Sequence, residues 1–409
     1  MGTLTGGAER AARDSYGRLL ALLSSATGNL PTAEDALADA FERAVRTWPH
    51  QGVPDNPDAW LLTVARNRLR DWWKSAEQRR TTTLDIERHS PVHIDDLDLD
   101  AIPDRRLELM MVCAHPAIDR TVHTPLMLNT VLGYTAEQVA RAFVMPTATM
   151  ATRLVRAKRR IRLTGIPFRI PDRAGLPPRM AAVLEAVYGA YVIDWSTTAP
   201  QPRELPSEAV HLAEVLATLA PDDPEAHGLA ALVQLSAARA PARVDAEGRF
   251  VPLPEQDPSL WNTTLIAQAH AHLRAAHALS HLGRFQLEAT IQAVHCARTA
   301  SAPPDWPTLL NLHQHLQELA PSLGGAVALA AVTAEVTGPA AALALLDDLL
   351  TMAGPPAHRF QPAATTRAHL LTRLGRFPEA MTAFDHAIAL THDPAERTHL
   401  HHLRARLPS

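Results

Sequence analysis

The sequence predicts an all-α protein, and three observations carry that expectation. Apolar residues recur at intervals of three and four almost throughout. Runs of β-branched residues are short, and no convincing period-two stretch appears. Ala, Leu and Arg dominate long segments that Pro and Gly cut apart, as in helices joined by short turns.

Taken in order, the elements form three blocks. The first, residues 8–77, reads as three or four helices. Its stripes are Leu37, Phe41, Ala44/Val45 and Trp48 over residues 33–48, then Leu61, Val64/Ala65, Leu69 and Trp72 over residues 58–75. Between them, Pro49-His-Gln-Gly-Val-Pro-Asp-Asn-Pro57 holds three prolines and a glycine and is expected to interrupt the helix. Residues 78–104 read as a linker, since Thr81–Asp104 carries seven acids, the single Arg88 and no apolar period. The second block, 105–168, is again helical, and Gly165-Ile-Pro-Phe-Arg-Ile-Pro171 breaks the pattern. The third, 174–405, is a run of helical segments in which Leu282-Gly-Arg-Phe285 recurs as Leu374-Gly-Arg-Phe377. Gly375, Phe377, Ala380, Phe384 and Ala387 follow tetratricopeptide spacing, so a helical-repeat-like extension is expected.

Composition narrows the classes. With 409 residues, 46% hydrophobic and 20% charged, wholesale disorder is excluded. No apolar run approaches the ~20 residues of a membrane span, and Met1–Arg13 lacks a signal-peptide core, which predicts a cytoplasmic protein without membrane contact. Two cysteines, Cys113 and Cys296, exclude a disulfide scaffold. His270, His277 and His281 share a helical face, with His295 and Cys296 beyond, but no second ligand group accompanies them. No phosphate-cradling glycine loop appears either. Neither catalysis, nor a metal, nor any other cofactor is expected.

Charge and motif point elsewhere. Residues 1–170 hold 23 Lys+Arg against 20 Asp+Glu, whereas residues 171–409 hold 16 against 23. The basic half contains Thr135-Ala-Glu-Gln138, a capping box opening a short helix. A turn at Val144-Met-Pro146 follows, and Thr147 is expected to cap a second helix running to about Leu163. Met150, Leu154, Ala157 and Ile161 form its apolar face. Short helix, turn and longer basic helix is the helix-turn-helix plan. Thr147, Thr149, Thr152 and Arg153 would meet base edges, and Arg156, Arg159 and Arg160 would hold phosphates. A solvated arginine face on an ordinary hairpin is the plainer reading. A second signal is Pro54–Ser75, where Arg66, Asn67, Arg70, Trp73 and Lys74 interleave cations with an aromatic plane, as suits an unpaired strand. Trp60 and Trp72 fall on the apolar stripe and read as core; Trp73 lies off it.

Together these segments resemble a known family. Ala33-Glu-Asp-Ala-Leu-Ala-Asp-Ala-Phe-Glu-Arg-Ala44 followed by Pro57-Asp-Ala-Trp-Leu-Leu-Thr-Val-Ala-Arg-Asn67 is similar to the sigma-two domain of extracytoplasmic-function sigma factors, and the second block to their sigma-four domain. Gly52-Val-Pro-Asp-Asn-Pro57, His115-Pro116, Pro146-Thr-Ala-Thr-Met150 and Gly165-Ile-Pro-Phe168 mark the subgroup with a long tetratricopeptide-like extension. The resemblance implies a transcription initiation factor whose partners are core RNA polymerase and promoter DNA. Asp35, Asp39 and Glu42 would lie on the polymerase-binding helix. Asn56, Arg66, Asn67, Arg70, Trp73 and Lys74 would serve the −10 reader, and the second block the −35 reader. A regulatory protein or signal would act through the extension. Where the family carries Gln-Glu this chain has Ala38-Asp39. That departure supports the alternative of a sigma-derived DNA-binding regulator or repeat scaffold that does not initiate transcription.

Overall fold

The computed structural model describes residues 2–79, 104–143, 145–171, 175–195, 205–298 and 304–408. Among these residues there are eighteen α-helices and no β-strand, only an isolated bridge between Val244 and Phe250. The chain divides into two compact units, Met1–Ala190 and Tyr191–Ser409.

The first unit is built from α1 (Gly2–Thr27), α2 (Leu30–Gln51), α3 (Pro57–Arg79), α4 (Arg106–Cys113), α5 (Arg120–Thr130), α6 (Ala136–Ala142) and α7 (Thr147–Thr164), and α8 (Pro177–Trp195) begins in it. Asn29 starts α2 by accepting from the Thr32 amide at 3.3 Å. The expected interruption at Pro49 does not occur, for α2 runs on to Gln51 with that proline inside it. A proline in the last turn forfeits a single ladder bond, a cost the terminus absorbs. Gly52, at φ 86°, ends the helix, and its amide bonds to the Trp48 carbonyl at 3.0 Å. Leu19, Leu20, Leu23, Leu37, Leu61, Leu62 and Leu69 fill the space between α1, α2 and α3, with no measurable exposure beyond 1%. Trp60 meets buried Trp48 edge-on, with centroids 5.4 Å apart. Trp72, expected in this core, is 45% exposed, because the packed stripe ends at Leu69. Val45 and Phe41 also depart from their expected stripe, which runs instead through Ala40, Ala44 and Trp48: Val45 is 52% exposed, and Phe41 is half-buried against Tyr16.

The first three helices and the next four pack closely on each other. A Cβ at Gly17 of α1 would fall 1.8 Å from the carbonyl oxygen of Val131, just past α5, so only glycine permits that approach. The beginning of α8 rests on the same group: Arg179 donates to the Met111 carbonyl at 2.8 Å, and Tyr134 to the Ala190 carbonyl at 3.1 Å.

The second unit contains α9 (Leu205–Leu219), α10 (Pro224–Ala238), α11 (Thr263–Ala278), α12 (Arg284–Cys296), α13 (Trp306–Leu319), α14 (Leu323–Val336), α15 (Pro339–Ala353), α16 (Gln361–Arg373), α17 (Phe377–Leu390) and α18 (Pro394–Ala405). Asp223, Asp305 and Asp393 each cap a helix that carries proline in its first turn, a pairing of cap and pre-set φ legible from sequence. α10 is buried on every side between α9, α11 and α12. The later helices pack each on the next around Leu346, Leu370, Leu371, Phe384 and Leu400. The two Leu-Gly-Arg-Phe turns differ in cause. Gly375 is left-handed at φ 73°, whereas Gly283 is extended and lies under Glu225, whose carboxylate accepts from the Phe285 and Gln286 amides at 2.8 and 3.2 Å.

Candidate nucleic-acid interface

α6 and α7 are positioned by local chemistry that the sequence states directly. Thr135 accepts from the Gln138 amide at 3.2 Å while the Gln138 side chain accepts from the Thr135 amide at 2.9 Å, completing the capping box. The Met145 amide bonds back to the Ala140 carbonyl at 2.9 Å; Val144 lies outside the described residues. Pro146 occupies the cap of α7, so Thr147 is its first helical residue and not its cap. Gly165, at φ 59°, ends the helix.

Met150, Leu154, Ala157 and Ile161 are all buried and anchor α7 through one face. Thr147, Thr149, Thr152, Arg153, Arg156, Arg159 and Arg160 are all exposed on the other. The Thr152 hydroxyl donates to the Ala148 carbonyl at 2.9 Å and Arg160 to the Ala117 carbonyl at 3.2 Å, which orients both side chains. A cleft of about 410 Å³ opens between α7 and the start of α5. It is lined by Arg153, Arg156 and Arg160 on one wall and by Asp119 and Thr121 on the other. Asp119 is held below the usual carboxylate range by hydrogen bonds from the Thr121 amide and hydroxyl, with nearby Arg153 adding to the effect. Three guanidinium groups against one carboxylate leave the cleft cationic.

Lys158 departs from this face. Its ammonium lies 2.5 Å from Glu34 of α2, with both side chains largely covered. Burial pushes the Glu34 carboxyl upward, more than Lys158 draws it down. The basic row of α7 thus has two jobs, five arginines facing outward and one lysine joining α7 to α2 across 124 positions of sequence.

The residues expected on α3 are arranged otherwise. Asn56 caps α3, its side chain accepting from the Ala59 amide at 3.0 Å. Arg66 and Arg70 are half-buried and Asn67 is exposed. Arg68 pairs with Asp39 of α2, a contact that sequence spacing did not suggest. Trp73 and Lys74 belong to α3, but their side chains lie outside the described residues. Trp72 is the exposed aromatic the sequence reading missed. On α2, Asp35 and Glu42 are exposed, and Glu42 meets Arg46 at 2.5 Å. Among the described residues no group of three His, Cys, Asp or Glu side chains is arranged to hold a metal, and no helix is long and apolar enough to cross a membrane.

Comparison with known proteins fits this architecture. Residues 12–80, the α1–α3 bundle, match sigma-70 region 2, and residues 179–277 match a family of unknown function, DUF6596. The two matches fit a sigma-70-family factor with a C-terminal extension, and sigma-70 proteins are non-catalytic transcription initiation factors that bind core RNA polymerase and promoter DNA. The chain belongs to one family with the uncharacterized protein R00370 of Rhizobium meliloti (strain 1021), to which it is 36% identical over 391 residues, covering 92% of this chain and 91% of that protein. No solved structure matches the chain.

Proposed function

We propose that this protein is an extracytoplasmic-function sigma factor that directs RNA polymerase in the cytoplasm to promoters with defined −35 and −10 elements. The observation that carries the reading is the exposed arginine and threonine face of α7, standing over a buried apolar stripe in a chain that also holds a sigma-70 region 2. α6 and α7 act as the helix-turn-helix of a sigma-four domain. Thr147, Thr149, Thr152 and Arg153 read the −35 bases; Arg156, Arg159 and Arg160 hold its phosphates. The cationic cleft beside α5 accepts one strand of the backbone. On α3, Asn67, Arg66, Arg70, Trp73 and Lys74 serve the −10 element, together with Asn56 before it, and exposed Trp72 joins Trp73 as a stacking plane for an unpaired base. Asp35, Asp39 and Glu42 dock on polymerase. The helices of the extension work as a tetratricopeptide-like module that modulates initiation.

One observation favours a second reading. Asp39, beside the departure at Ala38, is engaged by Arg68 within the bundle, which suits a DNA-binding regulator that no longer docks on polymerase. Run-off transcription with purified core polymerase tests the proposal: specific transcripts are expected. DNA binding without transcripts would select the second reading.

A further inference from the structure

Within the stretch matching the family of unknown function, three helices meet at a chain of polar side chains that the transcriptional reading does not use. α9 supplies Glu214, α10 supplies His227 and Gln234, and α11 supplies His272. The two imidazoles face each other, Nδ1 to Nδ1, at 3.0 Å. Their centroids are 5.3 Å apart with the planes inclined by 38°. On the far side of one ring, His272 Nε2 lies 3.1 Å from Glu214 Oε1. On the far side of the other, His227 Nε2 lies 3.1 Å from the Pro221 carbonyl oxygen. Gln234 Nε2 donates to the same Glu214 oxygen. Asp223 caps α10, Glu225 caps α12, and Arg284 and Glu288 of α12 pair at 2.7 Å.

Each of the three contacts requires one N–H, and two neutral imidazoles possess only two. If His227 donates from Nδ1, its Nε2 lone pair faces the Pro221 carbonyl. If it donates from Nε2, His272 must supply the proton between the rings, and its bare Nε2 then faces the Glu214 carboxylate. With Glu214 ionised, every neutral assignment of the two rings sets one lone pair against another. A third proton, making one ring an imidazolium, completes all three contacts, and Glu214 balances the charge.

We propose that Glu214, His272 and His227 form a proton-dependent clasp that fastens α9 to α10 and α11. It is closed when the histidine pair holds its third proton and loosened when that proton leaves. Because the extra proton sits on a pair of imidazoles, the clasp answers to pH. Closure takes up a proton, and the clasp therefore weakens as pH rises. His295 of α12 and His313 of α13 act in the opposite sense. Burial pushes each down to about 4, so unfolding takes up protons as pH falls from about 6.5 toward 4, and that contribution is lost toward acid. A readout resolved by helix separates the two effects.

Amide hydrogen exchange of the full-length protein, read by mass spectrometry on peptides from 205–219, supplies that readout. After correction for intrinsic exchange rates, protection of α9 is expected to be about tenfold or more lower near pH 8 than near pH 6, since one linked proton shifts the equilibrium by up to about tenfold per pH unit. The difference should vanish in His227→Gln and in His272→Gln. Equal protection of α9 at the two pH values in the native protein overturns the clasp, whether or not the variants fold. A pH difference that persists undiminished in both variants overturns it too. None of these residues lies on the proposed DNA or polymerase faces, so this outcome is independent of the transcriptional reading.

Discussion

α7 and α3 each carry a row of cations, and the two helices spend them differently. On α7, five arginines stand exposed above an apolar stripe, and the single lysine is turned away to Glu34. On α3, among the described side chains, Arg68 is committed to Asp39, Arg66 and Arg70 are half-buried, and an aromatic ring, Trp72, faces solvent. A count of basic residues therefore does not measure a nucleic-acid surface. Exposed guanidinium groups suit a duplex backbone, which rewards charge; an exposed indole suits an unstacked base, which rewards area.

The comparison breaks most visibly on α7. Replacing Arg153, Arg156 and Arg160 together by Ala should weaken binding to a −35 duplex by roughly two orders of magnitude. The slope of log K against log salt should fall by about 2.7, near 0.9 for each phosphate no longer neutralised. Fluorescence anisotropy over a salt series checks both. An unchanged slope would make the arginine face mere solvation. Thr149→Ala should cost less and differently. Non-specific affinity holds, while preference at one base pair relaxes by about 1–3 kcal/mol in a binding-site selection.

On α3 the expected effects are smaller and kinetic. Trp72→Ala should slow promoter opening about tenfold, followed by permanganate reactivity, because a lost base stack is worth roughly 1–3 kcal/mol. Its stability should stay within about 0.5 kcal/mol, as for other exposed positions. A large fall in melting temperature with normal opening would instead make Trp72 part of the packing. Arg68→Gln should change DNA affinity less than about twofold. The Arg68–Asp39 pair is exposed on both sides, and such pairs contribute about 0–1 kcal/mol to stability. A loss comparable to the α7 variants would erase the distinction between the two helices.

What the sequence could convey follows the range of each interaction. The capping box of Thr135 and Gln138, the four buried positions of α7 and the Asp-Pro helix starts are local, fixed by residues within a turn of one another. Trp72 escaped because periodicity says which face a residue occupies but not where the covering helices end. Val45 escaped because it lies off the stripe that buried Ala44 and Trp48 occupy on either side of it. The continuation of α2 through Pro49 depended on position within the last turn, where a proline costs little. Lys158 with Glu34, Arg68 with Asp39, and His272 with His227 and Glu214 join residues 124, 29 and 45 to 58 positions apart, and no spacing rule announces them.

Run-off transcription with purified core polymerase and the full-length protein probes the central claim most directly, on a library of candidate promoters with the α7 triple-alanine variant alongside. Initiation from a subset of templates sharing two separated elements is predicted, lost in the variant. Salt-sensitive DNA binding with no transcript from any template, under conditions where another sigma factor supports transcription by the same polymerase, would contradict it.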